Sequence, residues 1–599
     1  MRLSYPLTAN QVMINTPNLD GLKAATTRGD LANLLDVKLV FLTNVLYRIG
    51  VDNQYSDFSI PKKSGGDRII SAPSRKLKDL QGKLAKLLIN CRQEIFLLNG
   101  VENKISHGFE KDRTIITNAL KHSGKRVILN IDLSNFFQSV NFGRVRGFLI
   151  SNNNFKLHPD IATTIAHAAC YKGTLPQGSP CSPVITNFIC SILDIRLAAL
   201  AKKLGCTYSR YADDITFSTN KTAMPEQLVV NDESGVILGR ALRGEIERAN
   251  FEINDSKTRL TFRPSRHEVT GLTVNRFVNV DRRYSKKVRA LAHSLYQTGS
   301  FTTKDSTGKD VVGTLQQLEG MFGFIDQIDK FNNIVNKQAK VKEKYAPVKQ
   351  TLLEHRSKLN AREKAYAKFI YFKYFHGSST PTIMTEGKTD RVYIKSALLR
   401  LADRYPQFIT TNENTKKKQV KLNFVNPKFK EKYFLDIDEG AATFDKFARR
   451  YDFEFKSFYG TKAASPVVII LDNDTGPKEL LNYIANDIPT CPKTVEDIRK
   501  MPFIHVMHNL YIILTPLSDT GGMTAMEDLF DAKTLEQDVG GRKFNRGKKI
   551  NPKTDLNKDE FSLKVVRDMA KDINFDGFFP VFDALNEVSN HYEKILKAP

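Results

Sequence analysis

The feature that most constrains this chain is a pair of adjacent aspartates between two short runs of β-branched and aromatic residues. The stretch Cys206–Ser218 reads CTYSRYADDITFS, with Asp213 and Asp214 near its centre. Flanks of this kind are typical of strands, so the pattern predicts a hairpin with the aspartate pair at its tight turn. Neighbouring carboxylates repel each other. A solvated surface turn would tolerate such a pair, whereas a site for a divalent cation would need it.

A third carboxylate lies at the end of a predicted buried strand upstream of the hairpin. The stretch Arg126–Phe137 reads RVILNIDLSNFF, and its apolar run ends at Asp132. Together with Asp213 and Asp214, this carboxylate would form an oxygen-ligand site suited to Mg²⁺. Two metal ions held ~3.5–4 Å apart by shared carboxylates can activate a 3′-hydroxyl and stabilise a leaving pyrophosphate. The three aspartates therefore predict polymerase chemistry.

Three unlike motifs occur in the order in which reverse transcriptases carry them, and about residues 20–340 resemble that family. The motifs are IDLSNFF at Ile131–Phe137, LPQGSPCSP at Leu175–Pro183 and YADD at Tyr211–Asp214. The resemblance implies a right-hand polymerase, with fingers, palm and thumb, that uses dNTPs and two Mg²⁺ ions. The chain departs from the family pattern at no catalytic position.

Further residues take roles through this resemblance. The stretch Phe58–Ile70 resembles the fingers hairpin, which would reach the incoming triphosphate because phosphate binding needs positive charge on a well-placed loop. An ordinary basic hairpin, a core phenylalanine or a surface lysine would give the same letters. The residues assigned are Lys63 and Arg68 for the triphosphate, Phe137 as the steric gate against a ribose 2′-hydroxyl, Gln177 and Gly178 for the template–nucleotide pocket, and Lys257 as the general acid for pyrophosphate.

Two short elements narrow the resemblance to the retron reverse transcriptases. One begins at Asn118 and ends at His122, matching an Asn-Ala-x-x-His element, and the other is Val269, Thr270 and Gly271. In that family both regions belong to recognition of the enzyme's own structured noncoding RNA, so these residues are predicted to bind RNA. Each element alone also has a structural interpretation, a helix cap for the first and a strand end for the second.

The charge balance agrees with a nucleic-acid partner. The chain carries 90 Lys and Arg against 65 Asp and Glu in 599 residues, a formal net charge of +25. So basic a chain favours polyanions and binds them in a salt-dependent way. Its six cysteines show neither a CxxC pair nor zinc spacing, which predicts reduced thiols in a cytoplasm. We find no signal peptide and no run of about 18 apolar residues, so we expect no membrane span.

The chain is long enough for several domains. We predict fingers and palm over 1–275, a thumb over 276–335, a helical connector over 336–378 and a second catalytic domain over 379–599. The thumb rests on a basic cluster at 282–289 and on apolar residues at helical spacing over 315–332. The best boundary is His376–Pro381, which contains Gly, Ser and Pro.

A second group of carboxylates follows that boundary. Glu386 ends a predicted strand that turns through a glycine into a helix with Asp390, and the apolar strand Ser465–Leu471 leads into Asp472 and Asp474. Carboxylates at the carboxyl ends of parallel strands lie where α/β folds place their sites. Asp472 and Asp474 would share one Mg²⁺ ion, and Glu386 would act as a metal-linked acid or base.

The Glu-Gly and Asp-x-Asp pair resembles the TOPRIM domain of topoisomerases, primases and OLD-type nucleases, a Rossmann-like fold with a parallel sheet. The resemblance implies one or two further Mg²⁺ ions and an extra acidic position at Asp390. It favours a nuclease, because we recognise no tyrosine module for strand passage. Glu527 is predicted as a further metal ligand, and it equally suits an acid in the first turn of a helix.

A retron-like polymerase fused to a TOPRIM domain resembles a known subset of retron reverse transcriptases. This implies a polymerase that copies its cognate noncoding RNA into branched RNA–DNA (msDNA) from an internal guanosine 2′-hydroxyl. It also implies that the second domain is the effector of a toxin-like antiphage system and cleaves a nucleic-acid target. Self-association stays open. Two alternatives also stand: a TOPRIM domain that only binds nucleic acid, and a polymerase of non-retron defence systems or mobile elements.

Overall fold

The chain folds into two compact units, Met1–Asp281 with Asp305–Lys309 and Arg282–Lys304 with Asp310–Pro599. Each unit has its own sheet and hydrophobic core. The computed structural model describes residues 18–62, 66–100, 105–232, 235–305, 307–335, 359–413, 415–427, 429–437, 440–458, 462–547 and 549–597. Lys63 and most of the predicted connector, 336–358, lie outside the described residues.

The first unit is built around an antiparallel sheet. The strands of this unit are β1 Tyr55–Pro61, β2 Asp67–Pro73, β3 Val127–Ser134, β4 Thr207–Tyr211, β5 Asp214–Thr219, β6 Val229–Asp232, β7 Gly235–Leu238, β8 Glu252–Ile253, β9 Arg259–Phe262, β10 Glu268–Val269 and β11 Leu272–Thr273. The sheet order is β4–β5–β3–β8, and β9 also pairs with β3. Strands β1 and β2, β6 and β7, and β10 and β11 form separate hairpins. The predicted hairpins over residues 58–70 and 206–218 are both confirmed.

Helices cover this sheet and complete the core of the first unit. They are α1 Asn18–Ala24, α2 Arg28–Leu34, α3 Leu39–Thr43, α4 Arg75–Leu98, α5 Ile115–Lys121, α6 Phe142–Ser151, α7 Pro159–Ala169, α8 Ser182–Lys203 and α9 Arg240–Arg248. Short π- and 3₁₀-helical turns occupy Asn44–Arg48, Asp52–Gln54 and Asp255–Lys257. Helix α8 is long and apolar enough to cross a membrane by length and composition, contrary to our expectation that no such run exists. It is 61% buried inside the protein, because it is the core helix behind β4.

The second unit contains a mainly parallel sheet. The strands of this unit are β12 Thr302–Lys304, β13 Asp310–Val312, β14 Thr382–Thr385, β15 Ile409–Thr411, β16 Lys418–Val420, β17 Asn423–Phe424, β18 Val467–Leu471, β19 Ile504–Met507, β20 Leu510–Leu514, β21 Lys543–Phe544 and β22 Asp555–Leu556. The sheet order is β17–β14–β18–β20–β19, with only β19 antiparallel to its neighbour. Every residue of β14, β18 and β20 is buried, as expected of apolar strands covered on both faces.

Some helices of the second unit flank this sheet, and others precede the strands of the sheet along the chain. They are α10 Arg282–Thr298, α11 Leu315–Val335, α12 Ala361–Tyr371, α13 Lys388–Arg400, α14 Phe429–Leu435, α15 Ala442–Phe455, α16 Lys478–Asp487, α17 Val495–Arg499, α18 Ala532–Leu535, α19 Lys558–Glu560 and α20 Phe579–Lys597. Shorter π- and 3₁₀-helical turns lie at Phe372–His376, Pro406–Phe408, Lys456–Phe458, Met526–Leu529, Phe561–Arg567 and Asp576–Phe578.

The helix predicted over residues 315–332 is confirmed as α11, which belongs to the second unit, and its role in a thumb stays a prediction. Its apolar stripe is buried, and the Phe322 ring stacks on Tyr366 of α12 with centroids 5.2 Å apart. Glu319 accepts hydrogen bonds from Lys373 at 2.8 Å and from Lys430 at 2.7 Å. The predicted boundary at residues 376–381 lies inside the second unit, and the Lys430–Glu319 ion pair joins α11 to a residue beyond it.

Candidate active sites

The antiparallel sheet of the first unit brings three predicted carboxylates together. Asp132 of β3 lies directly opposite Asp214, the first residue of β5. Asp213 occupies the two-residue turn before it, and the carbonyl oxygen of Asp213 accepts a hydrogen bond from the Leu133 amide at 3.1 Å. The carboxylates thus come from one tight turn and from the neighbouring strand, as the sequence predicts.

Burial and mutual repulsion raise the pKa values of the two hairpin carboxyls, Asp213 and Asp214. Burial, and after it the negative charges of Asp213 and Asp132, raises the pKa of Asp214 to about 7. Burial is also the main cause of the raised pKa of Asp213. One cation already lies in the cluster, since Lys257 Nζ is 3.0 Å from Asp132 Oδ1 and 3.1 Å from Oδ2. Such a cluster favours a bound cation, which would lower both pKa values.

The chemistry of this donor set fits Mg²⁺. All of its ligands are carboxylate oxygens, which hard divalent cations prefer. In the described ranges, no group of three or more His, Cys, Asp or Glu side chains is already arranged so that it could hold a metal ion. At this cluster the Lys257 ammonium already contacts Asp132, so one carboxylate of the set has a cationic partner.

A cavity of about 840 Å³ opens on the three aspartates. It is lined by the predicted nucleotide-binding residues Arg68, Phe137, Gln177, Gly178 and Lys257. At Gly178, whose φ is +129°, an added Cβ would lie 2.4 Å from the carbonyl oxygen of Ser71 in β2, so only glycine fits there. The cavity is large enough for a small-molecule ligand such as a nucleotide.

Phe137, the predicted steric gate, is half-buried at this cavity. Its ring contacts Phe109, with centroids 6.2 Å apart, and Phe136, with centroids 5.4 Å apart. The Phe109 side chain is 50% exposed, so the aromatic pair has one open side. A ring held in this way could obstruct one position of a bound sugar, and its role as a gate stays a prediction.

A second cavity, of about 310 Å³, meets two of these aspartates and Lys257. It is lined by Asp132, Asp214, Arg259, Thr270 and Gly271, among other residues. Thr270 and Gly271 form the turn between β10 and β11, with φ of +46° and +78°. The carboxylate cluster therefore lies where two open spaces meet, and the Val-Thr-Gly element borders one of them.

The second unit brings another group of predicted carboxylates together at the carboxyl ends of β14 and β18. Glu386 directly follows β14, and Asp472 directly follows β18. A Cβ added at Gly476 would lie 3.0 Å from Asp474 Oδ1 and 3.8 Å from Glu386 Oε1, so these two carboxylates are close. Asp390, in the first turn of α13, accepts a hydrogen bond from the Gly387 amide at 2.7 Å and so also caps that helix.

The pKa values of this group are raised in the same way. Burial, followed by the charge of Asp390, raises the pKa of Asp472 to about 7. Burial also raises the pKa of Asp390 to about 6, and burial and Asp474 raise that of Glu386. Glu386 Oε2 is buried and makes no hydrogen bond within the described part of the chain. An unsatisfied buried oxygen among repelling carboxylates fits a cation-binding site.

Glu527, the further ligand predicted in this region, joins the group through the backbone. The Met526 amide donates to Asp472 Oδ1 at 2.8 Å, which places the next residue at the site. Glu527 is 2% exposed, and its carboxylate forms an ion pair with Lys558, whose Nζ lies 3.0 Å from Glu527 Oε1. Sequence reasoning missed Lys558, because it lies 31 residues further along the chain and belongs to no motif.

Comparisons with known proteins match about half of the chain. A family model described as "Reverse transcriptase (RNA-dependent DNA polymerase)" matches residues 60–294. The Retron Mx65 reverse transcriptase of Myxococcus xanthus is 31% identical over 52% of this chain and 70% of its own length. The Retron Ec86 reverse transcriptase of Escherichia coli is 30% identical over 54% of this chain and 92% of its own length. This chain belongs to the retron reverse transcriptase family.

A solved telomerase is a weaker structural match. The telomerase of Candida albicans, solved with a fragment of telomeric RNA, aligns over 53% of this chain and 64% of its own length. The TM-score is 0.30 and the sequence identity 12%.

The structure places Asn118 and His122 of this retron reverse transcriptase inside the first unit. Both side chains are fully buried. The two ring nitrogens of His122 lie 2.7 Å from the hydroxyls of Ser209 in β4 and Ser218 in β5, and Asn118 Oδ1 accepts from Ser209 at 2.6 Å. The predicted direct contact with RNA is therefore wrong for these two side chains in this structure. They hold the two strands that carry the aspartate hairpin.

The Val-Thr-Gly element packs against α5, the helix that contains Asn118. Val269 is 1% exposed and cannot contact RNA directly, which corrects that part of the prediction. The Thr270 hydroxyl donates to the carbonyl oxygen of Ile115 in α5 at 3.1 Å. Thr270 and Gly271 keep an open side at the smaller cavity. The two family elements are thus neighbours, and only the turn of the second is available to a ligand.

Proposed function

We propose that this retron reverse transcriptase copies a cognate structured noncoding RNA into msDNA, using dNTPs. The observation that carries this is the convergence of Asp132, Asp213 and Asp214 at one cavity, and two of them, Asp132 and Asp214, also line a second cavity. One cavity carries the residues predicted to bind a nucleotide, and the other borders the Val-Thr-Gly turn. An arrangement in which two substrates approach one carboxylate cluster suits nucleotidyl transfer.

The roles proposed for individual residues follow from their places. The three aspartates would hold two Mg²⁺ ions, which supply charge neutralisation at the reacting phosphate. Arg68 would bind the triphosphate, Gln177 and Gly178 would shape the nucleotide pocket, and Lys257 would hold a proton for the leaving pyrophosphate. Lys63, which lies outside the described residues, keeps its predicted role beside Arg68.

The proposed polymerase can be tested on the protein as it is purified. Nucleic acid that copurifies with the parent chain should contain one structured RNA joined to a short DNA. The Asp132→Asn variant should retain the RNA and lack the DNA. Random cellular RNA in both preparations would favour a non-retron polymerase, and DNA in the Asp132→Asn preparation would overturn the catalytic assignment.

We propose further that the second unit contains a TOPRIM-like nuclease that requires Mg²⁺. Its support is the group formed by Glu386, Asp390, Asp472, Asp474 and Glu527 at one edge of a mainly parallel sheet. The buried, unpartnered Glu386 Oε2 and the raised pKa of Asp472 fit one or two cations there. Held on this group, Mg²⁺ would stabilise charge on a phosphodiester, and Glu386 would serve as acid or base.

A second candidate function for this unit is nucleic-acid binding without cleavage. The observation in its favour is the Lys558–Glu527 ion pair, which already neutralises one carboxylate of the group. Incubation of the parent chain with labelled DNA, tRNA and other RNA, with Mg²⁺ and with EDTA, separates the two functions. Cleavage that needs Mg²⁺ and is lost in Asp472→Asn supports the nuclease, and binding without cleavage supports the binding module.

We place both activities in the cytoplasm, as parts of an antiphage system. In this proposal the RNA–DNA product restrains the second unit until infection disturbs it. Expression of Glu386→Gln with the cognate RNA should abolish protection against phage while reverse transcription continues. Protection equal to that of the parent chain would leave the second unit without an effector role.

A further inference from the structure

The turn of the aspartate hairpin in the first unit holds an alanine in a backbone conformation that alanine rarely adopts. Ala212, the residue before the aspartate pair, has φ of +55°, in the left-handed region. For a residue with a Cβ this conformation is strained, because the Cβ comes close to the following carbonyl oxygen. Something must therefore hold this turn, because it sets where the carboxylates of Asp213 and Asp214 point.

A buried arginine contacts this turn directly. Arg210, two residues before it in β4, is fully buried, and its Nη1 donates to the carbonyl oxygen of Ala212 at 3.0 Å. Its Nε and Nη2 donate to the two carboxylate oxygens of Asp194 in α8, each at 2.8 Å. Asp194 also accepts from the Tyr208 hydroxyl at 2.7 Å. The guanidinium is thus fixed on the core helix and fixes the turn.

A glycine restricts the same turn from a neighbouring segment. The carbonyl oxygen of Arg210 accepts from the His107 amide at 2.8 Å, so the segment before Gly108 runs along β4. A Cβ added at Gly108 would lie 2.4 Å from the backbone nitrogen of Ala212. Asn187 of α8 joins the two contacts, since it donates to the carbonyl oxygen of Gly108 at 2.9 Å and accepts from Arg210 at 3.2 Å.

A buried ion pair of this kind is weak evidence for a stabilising role. Replacing such a pair with apolar residues of similar volume is often neutral or stabilising, whereas removing one partner leaves an unpaired buried charge. The Arg210–Asp194 pair instead fixes the orientation of the guanidinium group, because two of its nitrogens bind the Asp194 carboxylate. The third nitrogen, Nη1, then donates to the carbonyl oxygen of Ala212 in the turn. The value of the pair therefore lies in which conformation the hairpin adopts.

We propose that Arg210, anchored on Asp194, is a positioning residue for DNA synthesis: it locks the left-handed turn at Ala212 so that Asp213 and Asp214 face Asp132. Gly108 completes the lock, because only a residue without a side chain lets the neighbouring segment approach the turn. The inference rests on the proposed catalytic role of the aspartates.

The test compares two changes that alter the lock while avoiding an unpaired charge. The double variant Arg210→Met with Asp194→Leu removes the pair, and Gly108→Ala pushes on the turn. Gly147→Ala is the matched control, since an added Cβ there meets nothing within 4 Å. Each chain is assayed by melting temperature, by primer extension and by the Mg²⁺ concentration at half-maximal rate.

We expect the double variant and Gly108→Ala to lose about 10²-fold in kcat, as catalytic groups displaced by an ångström do. The Mg²⁺ requirement should rise, and KM for dNTP should change little. Gly147→Ala should match the parent chain. Parental kcat and Mg²⁺ dependence in either folded lock variant would overturn the proposal, and if the double variant does not fold, the Gly108→Ala and Gly147→Ala pair decides. Full activity in Asp214→Asn would instead show that the catalytic assignment beneath it is wrong.

Discussion

The two units reach similar carboxylate clusters by different routes. In the first unit, two of three aspartates come from one hairpin, and the third lies directly opposite on the neighbouring antiparallel strand. In the second unit, Glu386 and Asp472 end two parallel strands, while Glu527 comes from a distant segment tied to Asp472 by one backbone hydrogen bond. A cluster built from adjacent residues is readable as a motif, whereas one assembled by topology needs the fold.

The two carboxylate clusters have two electrostatic features in common. Each contains a carboxyl whose pKa is raised to about 7 by burial and by its neighbours, Asp214 in one and Asp472 in the other. Each also contains a lysine on one carboxylate, Lys257 on Asp132 and Lys558 on Glu527. Repelling carboxylates tolerate each other only beside positive charge. The comparison teaches that each group of buried carboxylates already holds one lysine, which offsets part of the mutual repulsion.

The largest expected effect separates the first cluster from the second. Changing Asp213 and Asp214 together to Asn removes the charges that would hold Mg²⁺, so primer extension on an RNA template should fall on the order of 10³-fold or more. RNA binding should survive, because phosphate contacts lie elsewhere. The salt dependence of RNA binding, measured in parallel on the variant and on the parent chain, serves as the control. Extension at the parental rate would remove these aspartates from the reaction.

A smaller effect is expected from the lysines. Lys257→Met should lower extension by about 10²-fold, as the loss of one acid–base group does, and should leave any cleavage by the second unit unchanged. Lys558→Met is the matched change at the other cluster and should do the reverse. Both rates are measured on each preparation. A loss of both activities in either variant would mean that the clusters are not independent.

The buried pair Asn118 and His122, in α5 and at its C-terminal cap, sharpens the comparison within the first unit. Asn118→Ala and His122→Ala each leave buried hydroxyl groups short of a partner, which costs about 1–3 kcal/mol. We expect lower melting temperatures and equal losses of extension on the cognate RNA and on a generic primed template. Thr270→Ala, at the open turn, should affect the cognate RNA more. Selective loss of the cognate template in Asn118→Ala at unchanged stability would restore direct RNA recognition.

The smallest expected effect is a pH dependence of stability. Burial lowers the pKa of His122 from 6.5 to about 3, so the folded state holds the neutral ring. Taken alone, the titration of His122 destabilises the fold by about 1.4 kcal/mol per pH unit below pH 6.5, because only the unfolded chain takes up the proton. The carboxyls of Asp214, Asp472 and Asp390 act in the opposite direction, because their raised pKa values let the folded state bind protons that the unfolded chain does not. We therefore expect the unfolding free energy of the parent chain, from denaturation curves, to fall with this slope between pH 7 and pH 5 relative to that of His122→Gln, and the exposed control His158→Gln to follow the parent chain.

Much of the first unit could be predicted from the sequence. The hairpins and the strand before Asp132 carry their signal in local alternation and turn residues, and three motifs fix their order. The interior roles of Asn118 and Val269 could not be predicted, because a family motif shows that residues matter and not whether they face solvent. The positioning role of Arg210 could likewise not be predicted, because its partner Asp194 lies on another element, α8, and belongs to no motif.

The second unit was less predictable. The strands before Glu386 and Asp472 follow from apolar runs, and their parallel pairing agrees with the expected class of sheet. Lys558 depends on chain folding over long separations, which no spacing rule reports. The packing of α11 on Tyr366 also has no local signal, because a buried helical face looks the same whichever unit covers it.

The central claim is that one chain contains two independent carboxylate sites, a polymerase and a nuclease. The most direct measurement is to assay Asp214→Asn and Glu386→Gln side by side for primer extension and for Mg²⁺-dependent cleavage of nucleic acid. The account predicts that Asp214→Asn loses extension and keeps cleavage, and that Glu386→Gln loses cleavage and keeps extension. Cleavage by Glu386→Gln at the parental rate, or loss of both activities in one variant, would contradict it.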